Sequence, residues 1–194
     1  MSLEGKHIGI AFTGSFCTFE KAFEELQNLV ALGANVQTIF SFSAASLNSR
    51  FGMSKNFIKK AEEITKVKPI LTIEGAEPIG PKSLLDILVL FPCTGNTLAK
   101  LAHGIADTSV TMAVKSHLRN GRPVVLAVST NDALAVAAEN IGKLLARKHI
   151  YFVPFGQDDA FQKPTSMISD FTKIAPAVDA ALEGRQLQPI LLEG

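Results

Sequence analysis

The stretch from Leu85 to Thr108 limits the possible folds more than any other part of the chain. Residues 86–91 form a mostly apolar run rich in Leu, Ile and Val, which stops at Pro92. A short apolar run bounded by turn residues is typical of a strand that is buried on both faces, as in a parallel sheet. Residues 93–97 then form a small polar turn, and a helical spacing of apolar residues follows. This succession of strand, turn and helix indicates an α/β protein.

The rest of the chain repeats the alternation of strand and helix. Strands that alternate with helices predict a Rossmann-like, doubly wound parallel sheet, an α/β fold of the type that binds nucleotides. Periodicity predicts six strands, at residues 7–12, 35–42, 69–73, 86–91, 123–128 and 150–153.

The predicted helical segments include two long ones. The helix after the polar turn is expected to continue through residues 109–118, and another is expected over residues 133–148. Residues 154–166 are predicted to be a loop that leads to a final helix. We expect one domain over residues 4–192, and we interpret residues 1–3 and 193–194 as remnants of an expression vector that lie outside the fold.

Composition argues against several functional classes. Nineteen Lys and Arg residues against 18 Asp and Glu residues give a net charge of +1, so no basic surface indicates nucleic acid or an anionic membrane. No apolar run approaches the roughly 20 residues that cross a bilayer. The two cysteines make no disulfide framework, and no group of His, Cys and Asp has metal-ligand spacing. We therefore expect a cytoplasmic protein without a metal site.

Small polar turns follow four of the predicted strands. The carboxyl ends of parallel strands meet at one edge of a sheet, where folds of this class bind ligands. If the strands at 7–12 and 86–91 are neighbours, the turns that follow them share one crevice. Hydroxyls and backbone N–H groups at a helix N-terminus bind phosphate. The sequence therefore predicts a mononucleotide site that holds its phosphate with hydroxyls and N–H groups instead of cations.

The alternative is an ordinary strand-to-helix loop in which Thr94 only caps the helix. The candidate cofactor-binding residues are Thr13, Gly14, Ser15, Ser41, Ser43, Thr94, Gly95, Asn96, Thr97, Ser129 and Thr130.

Few residues qualify as catalytic groups. Cys17 and Cys93 both follow predicted strands, and a helix N-terminus lowers the pKa of a thiol, although buried cysteines are usually inert. His103 is either a structural hydrogen-bonding residue or a base. Lys163 lies in the polar loop with Asp158 and Asp159, which is either a solvated surface or a lip of the substrate site. The sequence leaves three candidates for a catalytic residue, namely Cys93, His103 and Lys163.

Residues 92–107, PCTGNTLAKLAHGIAD, resemble the flavoprotein superfamily. That group contains the flavin prenyltransferases and the phosphopantothenoylcysteine decarboxylases. Residues 13–15 fit its first flavin loop, and residues 164–170 resemble its C-terminal substrate lip, so the resemblance spans almost the whole chain. It implies FMN as the cofactor and a symmetric homo-oligomer. Pro78 stands where the decarboxylases place an active-site His, and the turn at 129–131 lacks the Arg with which the prenyltransferases bind phosphate.

Residues 8–23 and 153–171 are most similar to one branch of that superfamily, the subunits of an oxidoreductase from spore-forming bacteria. This resemblance implies an NADP-binding partner subunit, a small dicarboxylate substrate and a location in the mother cell during sporulation. Lys163 and Arg50 are the candidates for binding the substrate carboxylates. Two other functions stay open: a flavin prenyltransferase-like enzyme, and a non-catalytic scaffold that completes the active site of the partner.

Overall fold

The computed structural model describes residues 2–192, and a parallel sheet lies at its centre. The order of its strands is β2-β1-β3-β4-β5, with every neighbouring pair parallel. This confirms the predicted Rossmann-like α/β fold, and it makes the first strand a neighbour of the strand from the 85–108 stretch. The five strands are β1 (His7–Phe12), β2 (Asn35–Phe40), β3 (Ile87–Cys93), β4 (Val124–Thr130) and β5 (Ile150–Phe152).

Helices cover both faces of the sheet because the central strands are apolar on both faces. Along β3, Val89 and Phe91 face one core, whereas Leu88 and Leu90 face the other. Helices α1, α3 and α8 pack on the first core, and α5, α6 and α7 pack on the second. The α-helices are α1 (Phe19–Ala31), α2 (Phe42–Ser46), α3 (Ser54–Thr65), α4 (Ile73–Ala76), α5 (Gly95–Ala102), α6 (Ser109–Leu118), α7 (Ala137–Leu145) and α8 (Ile174–Leu182).

An aromatic cluster lies under the carboxyl ends of the first three strands. Phe12 in β1 stacks on Phe40 in β2 at 4.8 Å between ring centroids, and it contacts Phe91 in β3 at 5.9 Å. All three rings are fully buried. Aromatic pairs of this kind are worth about 0.5–1.5 kcal/mol each beyond the area they bury. The turns that follow these strands therefore start from a tightly packed base.

The predicted strand at residues 69–73 is wrong. Ile70 makes only an isolated bridge with Ile39, and α4 begins at Ile73. Two local features limit strand pairing here: Pro69 has no N–H to donate, and the Thr72 hydroxyl ends the extended segment by capping α4, where it accepts the N–H of Gly75. Most of the outer edge of β2 therefore lacks a neighbouring strand within residues 2–192.

Part of the predicted loop at 154–166 forms an additional strand, and a second follows it. The strands β6 (Phe155–Gln157) and β7 (Met167–Ser169) pair antiparallel, and β7 also pairs antiparallel with the end of β4. Each has only three residues, too few to show a periodic pattern. The hairpin places the segment between β6 and β7 beside the end of β4.

Two helix boundaries also differ from the prediction. The segment after β3 is two helices, because α5 ends at Ala102 and the side chain of Thr108 begins α6 with a capping box to Thr111. The helix expected from residue 133 begins at Ala137. The preceding turn is held by the hairpin instead, since the N–H of Leu134 donates to the carbonyl of Thr165.

Leu3 belongs to the fold, contrary to the expectation for residues 1–3. Its side chain is buried in the core beside α1, and its N–H donates to the Leu32 carbonyl at 2.9 Å. The expectation for Met1, Glu193 and Gly194 falls outside the described residues. Across residues 2–192, no helix combines the length and the apolar character needed to cross a bilayer.

Candidate functional site

A cavity of about 510 Å³ opens at the edge of the sheet where β1, β2 and β3 end. We call it the carboxyl-edge cavity. The turns after all three strands contribute to its wall, as expected from the neighbouring positions of β1 and β3. Seven of the predicted cofactor-binding residues line it, namely Thr13, Gly14, Ser41, Ser43, Thr94, Asn96 and Thr97.

Hydroxyl groups join two of these turns. The Thr13 hydroxyl donates to the Pro92 carbonyl at 2.7 Å and accepts the N–H of Thr94 at 3.1 Å. The Thr94 hydroxyl in turn caps α5 by accepting the N–H of Thr97, and it lies 3.1 Å from the Thr97 hydroxyl. Thr94 therefore does cap the helix, as the alternative interpretation proposed, but it does so within a cavity built from several turns.

Two further helices begin at the same edge. The Ser41 hydroxyl caps α2 by accepting the N–H of Ala44 at 3.2 Å. Helix α6 is fixed beside it because the Ser109 hydroxyl donates to the carbonyl of Phe40 at the end of β2. The first N–H groups of a helix have no partner within the helix and carry partial positive charge. The cavity wall therefore offers N–H and hydroxyl donors with few formal charges.

The other four predicted cofactor-binding residues lie next to the cavity without lining it. The Ser15 and Ser129 hydroxyls are 2.8 Å apart, which joins the turn after β1 to the end of β4. The Thr130 hydroxyl donates to the Asp132 carboxylate. Gly95 packs against both, since a Cβ at this position would lie 2.7 Å from the Asp132 carboxylate and 2.8 Å from the Thr130 hydroxyl. These contacts fix the start of α5 against the end of β4.

The sequence interpretation missed three apolar residues in the wall. Phe16, Phe42 and Leu47 all line the cavity, and Phe42 is 71% exposed despite its size. A large exposed aromatic ring beside polar donors is a surface on which a planar ligand can pack. The available signal was the position of Phe42 just after β2, but the sequence analysis assigned this apolar residue to the end of the strand.

It also missed an ion pair. The ammonium group of Lys100 lies 2.8 Å from both carboxylate oxygens of Asp107, and both side chains line the cavity. The hydrogen bond and charge of Lys100 hold the pKa of Asp107 below its ordinary value. The four-residue spacing between Asn96 and Lys100 places those two residues on one face of α5, but no local pattern places Asp107, beyond the end of α5, beside Lys100.

The structure separates the candidate catalytic groups. Cys93 is fully buried in the core, and burial raises the pKa of its thiol far above the ordinary value. A thiol in that state supplies neither a nucleophile nor a proton donor at neutral pH, so the suggestion of Cys93 as a catalytic residue is corrected. Cys17 is exposed, with its sulfur 3.7 Å from the Ser15 hydroxyl.

His103 and the two cations proposed for substrate carboxylates lie outside the cavity wall. His103 follows the last turn of α5, about 12 Å from its amino end at 1.5 Å per residue. Lys163 pairs with Asp158 at 3.0 Å in the segment between β6 and β7. Arg50 lies over the ring of Phe51, 4.9 Å from its centroid. Within the described part of the chain, no group of three or more His, Cys, Asp or Glu side chains could hold a metal ion.

Comparison with known protein sequences gives a family match and a relative that aligns over nearly the whole chain. Residues 1–181 match the family described as Flavoprotein. The chain is 46% identical over 192 residues to the B subunit of dipicolinate synthase from Bacillus subtilis (strain 168), and the alignment covers 99% of this chain and 96% of that protein.

Solved structures agree with the sequence matches. The crystal structure of the dipicolinate synthase B subunit from Bacillus halodurans C has a TM-score of 0.92 and 41% identity, and the match covers 100% of this chain and 99% of that one. The FMN-dependent cysteine decarboxylase SpaF has a TM-score of 0.68 at 23% identity, with 94% of this chain and 98% of that one covered. The second likeness concerns the fold alone.

Proposed function

The chain belongs to the Flavoprotein family, and on that premise we propose that it is the B subunit of a dipicolinate synthase whose carboxyl-edge cavity binds FMN. The observation that carries the proposal is the meeting of three polar strand ends at one cavity. Two dipicolinate synthase B subunits that match this chain over 96% and 99% of their own lengths support it. The proposed reaction is the oxidation of a dihydrodipicolinate-level precursor to dipicolinate, pyridine-2,6-dicarboxylate.

The residues present fit a flavin mononucleotide. The cavity volume of about 510 Å³ lies within the range of small-molecule sites. The hydroxyls and N–H groups of Thr94–Thr97 and Ser41 would hold the phosphate at the helix starts. Phe42 and Leu47 would pack against the ring system. Ser15, Ser129 and Thr130 stay proposed as contacts to the flavin, because Ser15 and Ser129 bond to each other and Thr130 packs against Gly95 at the start of α5.

Formation of the aromatic ring removes one hydride and one proton from the dihydropyridine. FMN, when bound here, can accept that hydride, and NADP on the partner subunit is the other proposed acceptor. Among the side chains that residues 2–192 contribute to the cavity wall, only Lys100 and Asp107 are ionisable, and they are paired with each other. We therefore assign this chain the tasks of binding and orienting, while the proton leaves to solvent or to a group on the partner.

We further propose that the A subunit of dipicolinate synthase is the partner and that the complex acts in the mother-cell cytoplasm of a sporulating bacterium. Lys163 and Arg50 stay proposed contacts for the substrate carboxylates. The exposed apolar side chains Val136 and Phe161, which do not line the cavity, support a homo-oligomer or an interface with that partner. One domain, over residues 4–192 with Leu3 added, stays proposed as well.

Titration with FMN, followed by flavin fluorescence, tests the site. We expect saturable quenching by the unmodified chain and about tenfold weaker binding by Thr97→Val, because a hydroxyl bonded at the α5 cap is removed. Thr65→Val is the matched control, since the Thr65 hydroxyl bonds to the Ala61 carbonyl at the end of α3, outside this cavity. Equal affinities for both variants would contradict the placement of FMN.

Mixing the chain with the partner subunit and NADP separates the proposed function from its alternatives. Dipicolinate formation that requires both subunits and FMN supports the redox subunit. If dipicolinate forms with both subunits and the chain binds no FMN well above micromolar concentrations, the scaffold is the better interpretation. A prenylated flavin formed from reduced FMN and dimethylallyl phosphate would favour the prenyltransferase, but we expect none because the turn at 129–131 has no Arg.

A further inference from the structure

Lys100 and Asp107 are the only oppositely charged pair in the wall of the carboxyl-edge cavity, as far as the structure describes the chain. The Lys100 side chain is 23% exposed, so most of it is packed into the wall. Both oxygens of Asp107 accept from its ammonium group at 2.8 Å. An ammonium has three N–H donors, so one remains for a ligand.

Lys100 lies on the face of α5 that lines the carboxyl-edge cavity. Lys100 follows Asn96 by four residues and Thr97 by three, and residues at these spacings share a helix face. Side chains on a helix tilt toward its N-terminus, so Lys100 extends toward the turn of Thr94–Thr97. The side chains of Thr94, Asn96, Thr97 and Lys100 all line the same cavity.

We propose that Lys100 donates a charge-assisted hydrogen bond to the phosphate monoester of the bound mononucleotide, and that Asp107 is the positioning residue that holds its ammonium group in place. This proposal rests on the proposed FMN site. It replaces the expectation from the sequence that hydroxyls and N–H groups bind the phosphate without a cation.

The positions of the two residues explain why a pair serves better than a lone lysine. A cation packed into a wall with no counter-ion loses much of its hydration, which costs free energy. Asp107 precedes Thr108, which begins α6 through its capping box. The pair therefore links the second turn of α5 to the start of α6, and it fixes the ammonium group before the ligand binds.

The preference for phosphate over the flavin ring follows from charge. A hydrogen bond between two charged groups is roughly twice as strong as one between neutral groups. The single free N–H of Lys100 therefore gains more from a phosphate oxygen than from a ring carbonyl. Lys100 is accordingly expected to discriminate FMN from riboflavin, which lacks the phosphate.

The experiment measures the affinities of FMN and riboflavin for four versions of the chain: unmodified, Lys100→Met, Lys100→Arg and Lys143→Met. Lys143 is the matched control, because it pairs with Glu139 at 2.6 Å on α7 and does not line the cavity. We expect Lys100→Met to weaken FMN binding about tenfold and to change riboflavin binding less than twofold. Lys100→Arg should retain most of the preference for FMN, and Lys143→Met should retain all of it.

Riboflavin binding shows that each variant is folded at the site. Should Lys100→Met fail to fold, Lys100→Gln replaces it, and the decline of FMN affinity with salt in the unmodified chain gives an independent measurement, since a phosphate contact to a cation weakens as salt rises. Parallel losses for FMN and riboflavin, or no loss for either, overturn the role of Lys100 while the FMN site stands. Absence of FMN binding to the unmodified chain overturns both proposals.

Discussion

The two ends of the sheet each carry a cavity, and the larger one is the poorer candidate for a binding site. The amino-edge cavity lies beside the first residues of β1 and β2, with Val36, Ile64 and Leu84 among the residues that line it, and its volume is about 610 Å³. The carboxyl-edge cavity is smaller, at about 510 Å³. The difference between them is chemical, so volume alone does not identify a site.

Polar groups at the amino edge are already engaged with the protein. The Gln37 amide donates to the carbonyls of Thr38 and Lys68 at 3.0 and 2.9 Å, and the N–H of His7 donates to the Asp86 carboxylate at 2.9 Å. At the carboxyl edge, strand ends lead directly into helix starts, whose N–H groups face outward. Because the strands are parallel, the donors that can bind an anion lie at the carboxyl edge of the sheet. The polar groups at the amino edge stabilise the fold instead.

The largest expected effect concerns His117, which lies at the amino edge where its Nε2 donates to the Pro123 carbonyl. Burial lowers its pKa from 6.5 to about 4. Because the folded pKa is the lower one, the unfolded chain binds more protons between these values, and stability falls as the pH drops through that window. The loss is about 3 kcal/mol of unfolding free energy.

Urea denaturation at pH 7 and pH 4 measures this loss. His117→Gln keeps an amide donor and cannot be protonated, so the loss should shrink by about that amount. The matched control, His103→Gln at an exposed histidine, should keep the full loss. An unchanged pH dependence in His117→Gln would contradict the assignment of the stability loss to His117. It would also remove this difference between the amino and carboxyl edges.

The next effect concerns Gly95, at the carboxyl edge. In Gly95→Val the Cβ would lie 2.7 Å from the Asp132 carboxylate, and forcing a side chain into a packed site costs about 1–3 kcal/mol. The start of α5 should shift, and FMN affinity should fall about thirtyfold. Isothermal titration with FMN measures it. Gly142→Val on α7 meets no atom within 4 Å at its Cβ and should bind FMN normally; equal binding by both variants would show that this contact is unimportant.

The smallest effect concerns Gln37, in the amino-edge cavity. Gln37→Leu removes the donor to two backbone carbonyls, so unfolding free energy should fall by about 1 kcal/mol. Flavin affinity should stay within twofold of the unmodified chain, because Gln37 lies at the other edge. Thermal unfolding and FMN titration on the same sample measure both. A large loss of flavin affinity would show that the two edges are coupled.

Several features of the site could be predicted because they depend on neighbouring residues alone. A polar turn that follows an apolar run and precedes a helical pattern marked Thr94–Thr97, and the same pattern marked Thr13–Ser15. Shorter or ambiguous signals failed. The three-residue strands β6 and β7 carry no period, and residues 69–73 contained enough apolar residues to be interpreted as a strand.

The sequence by itself determined the α/β class, the parallel sheet and the turns that could hold an anion, because periodicity and turn composition are local properties. Only the tertiary structure decided which turns share a cavity, that Cys93 is buried, and that Lys100 meets Asp107 across the gap between two helices. These features depend on strand order and on where α5 ends and α6 begins. Contacts between segments set both, and no local pattern records them.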